Sequence, residues 1–189
     1  MGKNKSFVML GDKPLIEIVL GKIIRVFEKM PVVITNHPDN YEHLNCEMVG
    51  DVFKDKGPLA GIHTALIHSR TPYIFVFACD MPFIEPCFIQ YMAQRLLLED
   101  DVVIPRNGEN MEPLHAIYSK RCLPAIEFHL KNDHRSVRSF FSDVTMTYVD
   151  ETEMARLTLS EYYFLNVNTQ EDLAKAKCCI EPMANALKY

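Results

Sequence analysis

The ten residues from Tyr73 to Pro82, Y-I-F-V-F-A-C-D-M-P, constrain the fold more than any other part of this 189-residue chain. From Tyr73 to Ala78 there is no charge, and aromatic and β-branched side chains dominate, which suits a strand buried on both faces of a parallel sheet. The run stops at Asp80, and Pro82 cannot continue a ladder. A carboxylate just past the carboxyl end of a central strand sits where open α/β sheets place their ligands. Asp80 is therefore a candidate to hold a magnesium ion on a nucleotide triphosphate. The plainer alternative is that Asp80 starts a turn or caps the helix that follows at Pro86.

The remaining pattern alternates strands with helices. Ile16, Val19, Leu20, Ile23, Phe27 and Met30 recur at helical spacing after the turn Gly11-Asp12-Lys13-Pro14, with Pro14 at the first helical position and Pro31 as the stop. Short strands are predicted at Val32 to Thr35, Cys46 to Val49, Val102 to Ile104 (closed by Pro105), Leu114 to Tyr118 and Phe164 to Asn168. Val144 to Val149 reads as a half-exposed edge strand. Helices are predicted from the Gly57-Pro58-Leu59-Ala60-Gly61 turn to Ile67, from Glu85 to Leu98, from Cys122 to Leu130 and over Val137 to Phe141. Thr169-x-x-Asp172 approximates a capping box for a last helix. This order predicts a single domain over residues 1–189 in the α/β class, a three-layer Rossmann-like sandwich with a mainly parallel sheet.

Several polar residues coincide in position. Asn36, Asp51, Asp80, Arg106/Asn107 and Asn166/Asn168 each follow a predicted strand, where they could face one crevice. The glycine turn at 57 to 61 opens a helix, and small residues there let backbone N–H groups approach a flat or anionic ligand. An ordinary loop with proline at the helix start accounts for the same residues.

Composition narrows the ligand. A net charge of -5 with no Lys/Arg cluster argues against nucleic acid. No apolar run approaches eighteen residues and no signal-peptide core is visible, so a cytoplasmic protein without a membrane partner is expected. Cysteines at 46, 79, 87, 122, 178 and 179 lack zinc or C-x-x-C spacing and are expected to be reduced thiols. No H-E-x-x-H occurs among the histidines, and the pairs His63/His68 and His129/His134 are spaced off a shared helical face. Met1-Gly2-Lys3-Asn4-Lys5-Ser6 fits the short N-myristoylation pattern, but these residues have a better explanation.

M-G-K-N-K at the start resembles part of the glycine-rich signature of the molybdenum cofactor guanylyltransferase family, which is similar to sugar-nucleotide pyrophosphorylases. G-D-K-P-L-I-E at 11 to 17, G-P-L-A-G at 57 to 61 and C-D-M-P at 79 to 82 carry the resemblance further. E-P-L-H-A-I-Y at 112 to 118, C-L-P-A-I-E at 122 to 127 and N-V-N-T-Q-E-D-L at 166 to 173 extend it over nearly the whole chain. The resemblance implies a nucleotide-diphospho-sugar transferase-like fold and transfer of GMP from GTP to the phosphate of molybdenum-molybdopterin, releasing pyrophosphate. It implies that Lys5 touches the triphosphate, that Asp51 binds the nucleotide and that Asp80 holds Mg2+. Gly57, Pro58, Leu59, Ala60 and Gly61 would lie near the guanine or pterin, and Asn166 and Asn168 would contact the cofactor side. GTP, molybdenum-molybdopterin and molybdoenzyme-maturation proteins are the implied partners.

Upstream of its M-G pair, the family signature has a strand and a segment of the form L-A-G-G-x-S-x-R, which this sequence lacks. Met1 is accordingly expected to be an internal methionine of a longer reading frame. If the chain stands as it is, the sheet should carry an unpaired central slot and GTP turnover should be weak. Alternatives are a related nucleotidyltransferase using CTP or another phosphorylated acceptor, and an inactive nucleotide-binding domain. A flavodoxin-like domain with Asp80 as phosphoryl acceptor fits the G-P-L-A-G segment poorly.

Overall fold

The computed structural model describes residues 5–186. Met1 to Asn4, including Gly2 of the myristoylation pattern and the start of M-G-K-N-K, lie outside the described residues. In chain order the elements are β1 (Met9–Leu10), β2 (Lys13–Pro14), α1 (Leu15–Phe27), β3 (Val33–Ile34), β4 (Met48–Val49), α2 (Pro58–His68), β5 (Tyr73–Phe77) and α3 (Pro86–Arg95). They continue as β6 (Val102–Asn107), β7 (Asn110–Met111), β8 (His115–Ser119), α4 (Leu123–Lys131), β9 (Met146–Asp150), α5 (Glu151–Met154) and α6 (Gln170–Ala186). Short 3-10 turns cover Lys5–Phe7, Pro38–Leu44, Lys120–Cys122 and Val137–Asp143.

The main sheet has the order β5-β8-β6, with β7 and β9 on β6. β8 is antiparallel to both β5 and β6, whereas β9 runs parallel to β6. β5, β6 and β9 therefore share one direction, while β8 and the two-residue β7 oppose them, so three of the five strands run parallel in a mainly parallel sheet. A separate parallel pair joins β3 to β4. Side chains alternate across the main sheet as strand geometry requires. Ile104, Ala116 and Tyr118 face Leu59, Leu66 and Ile126 on one side, while Val103, Ile117 and Val149 face Phe88, Met92 and Tyr163 on the other. Helices on both faces give the expected three-layer sandwich.

Helix α1 buries Leu15, Ile16, Val19, Leu20 and Ile23. It stops three residues before the expected end, because Glu28 turns to φ 51° and its N–H closes on the Ile24 carbonyl at 2.8 Å. Pro14 lies just outside this helix, extended at φ -67°, ψ 151°. Pro105 lies inside β6 rather than closing it, which the sheet tolerates because pairing with β8 has already ended at Val103. Val137 to Phe141 tightens into a 3-10 turn, and Phe164 to Asn168 forms no strand. The Thr169/Asp172 capping box is present: Thr169 N–H donates to the Asp172 carboxylate at 2.8 Å, and Asp172 N–H to the Thr169 hydroxyl at 3.1 Å.

β5 departs most from expectation. Every residue from Tyr73 to Phe77 is half-buried, whereas all of β8 is buried. The cause is an open slot of about 310 Å³ between β5 and β3. Val19 and Leu20 of α1 form one wall, Gly61 and Ala65 of α2 the other, and Ile34 and Val76 lie at the two strand edges.

Candidate active site

Two groups of polar residues collect at the carboxyl ends of β5 and of the β3/β4 pair. In the first, Asp80 follows β5 and is half-buried. Burial pushes its carboxyl above the usual carboxylate range, while its own backbone N–H and the Lys5 ammonium pull the other way. Lys5 Nζ donates to Asn168 Oδ1 at 2.8 Å. The chain around Asn166 and Asn168 is held across the end of β5 because Val167 N–H donates to the Asp80 carbonyl at 2.9 Å. That single backbone bond crosses the tip of β5, so the segment does not add a strand to the sheet. The structure thus brings Lys5, Asp80 and Asn168 together, with Asn166 two residues away in the same segment.

In the second group, Asp51 follows β4 and Asn36 follows β3. They interlock: Asn36 Nδ2 donates to Asp51 Oδ2 at 2.9 Å, and Asp51 N–H donates to Asn36 Oδ1 at 2.9 Å. The other carboxylate oxygen, Asp51 Oδ1, is buried with no hydrogen-bond partner, a costly arrangement that a donor from a ligand would relieve. Both residues line a crevice of about 580 Å³ with Thr35, Gly50 and Lys54, within the range of nucleotide-sized sites.

Helix α2 begins beside this group. Gly57 adopts φ 72° and ψ -161°, a region essentially reserved for glycine. Pro58 occupies the first turn, and no side chain caps the helix start. A Cβ on Gly57 would meet nothing within 4 Å, so the requirement is on backbone conformation alone. Gly57→Ala is expected to destabilise the protein by about 1 to 3 kcal/mol, read as a lower urea midpoint at constant slope. An unchanged midpoint would remove the conformational argument. Leu59 and Ala60 are fully buried and hold the helix in the core, whereas Gly61 passes Asp51 with 3.9 Å between its would-be Cβ and Oδ1.

Arg106 does not join either group. It donates to Asp150 Oδ1 at 2.9 Å and lies 4.2 Å over the Tyr148 ring, at the β9 edge. Glu112 does join, although it precedes a predicted strand rather than following one. Burial raises its carboxyl, Arg138 lowers it and the charge of Asp80 raises it. Because β8 opposes β5 with His115 opposite Phe77, the approach to β8 lies at the same end of the sheet as the exit from β5. The antiparallel direction of β8 was the missing signal.

Among the described residues no group of three or more His, Cys, Asp or Glu side chains could hold a metal ion by itself. The half-buried Asp80 carboxylate beside Lys5 instead fits a hard divalent cation that takes most of its ligands from substrate phosphates and water. No helix among the described residues is long and apolar enough to cross a membrane.

Residues 1–149 match the profile of the MobA-like NTP transferase domain. A probable molybdenum cofactor guanylyltransferase of Pelotomaculum thermopropionicum is 36% identical over 181 residues, covering 96% of this chain and 87% of the relative. One from Peptoclostridium acidaminophilum is 34% identical over 181 residues, covering 92% of this chain and 80% of the relative. The crystal structure of molybdopterin-guanine dinucleotide biosynthesis protein A from Archaeoglobus fulgidus superposes with a TM-score of 0.82 at 26% identity, over 96% of this chain and 92% of that one. By this profile match and these relatives, the chain belongs to the MobA-like NTP transferase family of nucleotidyltransferases.

Proposed function

We propose that this protein transfers GMP from GTP to the phosphate of molybdenum-bearing molybdopterin, with Mg2+ as its divalent ion. The observation that carries the choice of nucleotide is the Asp51 carboxylate, which lines the crevice beside Asn36 and whose buried Oδ1 has no partner. Guanine presents two adjacent N–H donors on its pairing edge, which suit a carboxylate. Cytosine presents one donor beside an acceptor, so a carboxylate there meets a repelling lone pair.

In this reading an oxygen of the acceptor phosphate attacks the α-phosphorus of GTP. The bond from that phosphorus to the bridging oxygen breaks, and its electron pair leaves with pyrophosphate. The attacking phosphate is already anionic near neutral pH, so no general base is required. A divalent cation at Asp80 supplies charge neutralisation on the triphosphate. Lys5 supplies a further positive charge, and Asn168 fixes its direction. The uncapped start of α2, from Gly57 through Pro58, Leu59 and Ala60 to Gly61, offers backbone N–H groups to the nucleotide. Asn166 and Asn168 face the pterin-cofactor side. A cytoplasmic setting and hand-over to molybdoenzyme-maturation proteins belong to the same proposal.

The test is pyrophosphate release with molybdopterin present, run in parallel with GTP and CTP. GTP is expected to be preferred by about tenfold or more, as one lost hydrogen-bonded partner in a buried site implies. Asp51→Asn should bring the two nucleotides toward parity. Equal rates in the unaltered protein would contradict the assignment of Asp51.

A further inference from the structure

Helix α4 ends in a turn that delivers a carboxylate to a distant loop. Asp133 sits at φ 62°, with its N–H on the Leu130 carbonyl at 3.2 Å and the next N–H, from His134, on the His129 carbonyl at 2.9 Å. That pair of bonds closes a helix through one left-handed residue, a place that favours glycine. Here the residue is aspartate, and its side chain is engaged. Asp133 Oδ1 accepts from Lys56 Nζ and, at 3.0 Å, from Arg135 Nε. Arg135 Nη1 in turn donates to the Asp55 carbonyl at 3.3 Å. The two cations, Lys56 above all, hold the Asp133 carboxyl down at about 2, so the cluster stays charged at neutral pH.

The loop gripped in this way is a wall of the polar crevice. Lys54 and Asp55 line it together with Asp51, and Gly57 leads into α2 two residues on. Asp55 is itself left-handed, at φ 60°, a conformation that persists in a non-glycine residue when its surroundings over-determine it. At the start of the loop Val52 N–H donates to the Thr64 hydroxyl at 2.9 Å, and the Phe53 ring meets the His63 ring edge-on at 5.0 Å. Beyond Phe53, among the described residues, the hydrogen bonds that fix residues 54–56 come from Asp133 and Arg135 alone. Exposed ion pairs add little to global stability, and this cluster holds one loop rather than the core. We propose, resting on the reading of the crevice as the nucleotide pocket, that Asp133 and Arg135 are positioning residues: they set the 54–56 wall through Lys56 and the Asp55 carbonyl. Neither residue lines the crevice itself.

Asp133→Gly is the cleanest test, because glycine keeps the left-handed turn and only the carboxylate is lost. It should raise KM for GTP about tenfold, the cost of ordering one rotamer-rich side chain on binding, with kcat changed by less than about twofold. Backbone order parameters of residues 53–57 should fall from about 0.85 to about 0.6. Asp133→Asn, uncharged but still an acceptor, should fall between the two. Lys56→Met should reproduce the loss, and combining it with Asp133→Gly should add little to either alone. Unchanged order parameters in Asp133→Gly would overturn the clamp whichever nucleotide the protein uses. Lowered order parameters with an unchanged KM, or a loss confined to kcat, would overturn its part in nucleotide binding. An unaltered protein that turns over no GTP would instead contradict the nucleotide reading, and the order parameters would still decide whether Asp133 holds the loop.

Discussion

Asp80→Asn is expected to lower pyrophosphate release from GTP by at least about a hundredfold, the usual loss when a preorganised electrostatic group is removed from a transfer site, while raising the melting temperature near neutral pH. The two effects have one origin. Burial raises the Asp80 carboxyl above its ordinary value of 3.8, so the folded state holds the proton more tightly than the unfolded chain does. Stability from this group is therefore fully present below 3.8 and is lost as pH rises through the folded value. At neutral pH the protein carries a carboxylate that the fold disfavours and the chemistry requires. The amide removes the charge, so its stabilisation should be largest near pH 7 and shrink toward pH 4. Thermal melts across that range, beside turnover at pH 7.5, check both halves. A variant that keeps its turnover would detach Asp80 from the reaction, and one that melts lower at pH 7 would show that the carboxylate supports the fold.

Acid should unfold the protein through His115. This histidine is fully buried in β8, with Tyr163 Oη 2.7 Å from Nε2 and its Nδ1 unpartnered. Phe75, Phe77, Phe88 and Phe164 surround it with ring centroids 5.2 to 6.2 Å away. Burial lowers its pKa from 6.5 to about 3. Between those values the unfolded chain binds a proton that the folded protein refuses, so stability falls as pH drops below 6.5. At about 1.4 kcal/mol per pH unit, moving from pH 6.5 to 4.5 should cost about 3 kcal/mol through this residue. The pair His115→Leu with Tyr163→Phe removes both polar partners together and should flatten that part of the profile. Tyr163→Phe alone should retain it. Urea midpoints at pH 7.5 and 4.5 measure the difference. An equal acid loss in the double variant would place the sensitivity elsewhere.

Much of this structure is legible in the chain, for identifiable reasons. The α1 stripe and the Thr169/Asp172 cap are local patterns, and local physics settles them. Asp51 and Asp80 are legible as strand-end residues because apolar runs followed by a polar residue mark where a strand leaves the sheet. Strand direction was not legible, since the side-chain alternation of β8 reads the same either way. The place of Glu112 beside the end of β5 is hidden for that reason. The half-burial of β5 is a property of its neighbour. Y-I-F-V-F has the composition of a central strand, and only the gap beside β3 exposes it. Position alone groups Arg106 with the site, whereas its carboxylate partner Asp150 and its ring partner Tyr148 both lie on β9, at the edge of the sheet away from β5. Phe164 to Asn168 has the residues of a short strand but crosses the tip of β5, an arrangement fixed by tertiary contact with the Asp80 carbonyl.

The fate of the α-phosphate tests the central claim most directly. GTP labelled at the α-phosphate and incubated with molybdopterin, a divalent cation and this protein should pass its label into a pterin dinucleotide, in step with one pyrophosphate released per transfer. Label recovered as free GMP or left in GTP, with no dinucleotide formed, would contradict the account.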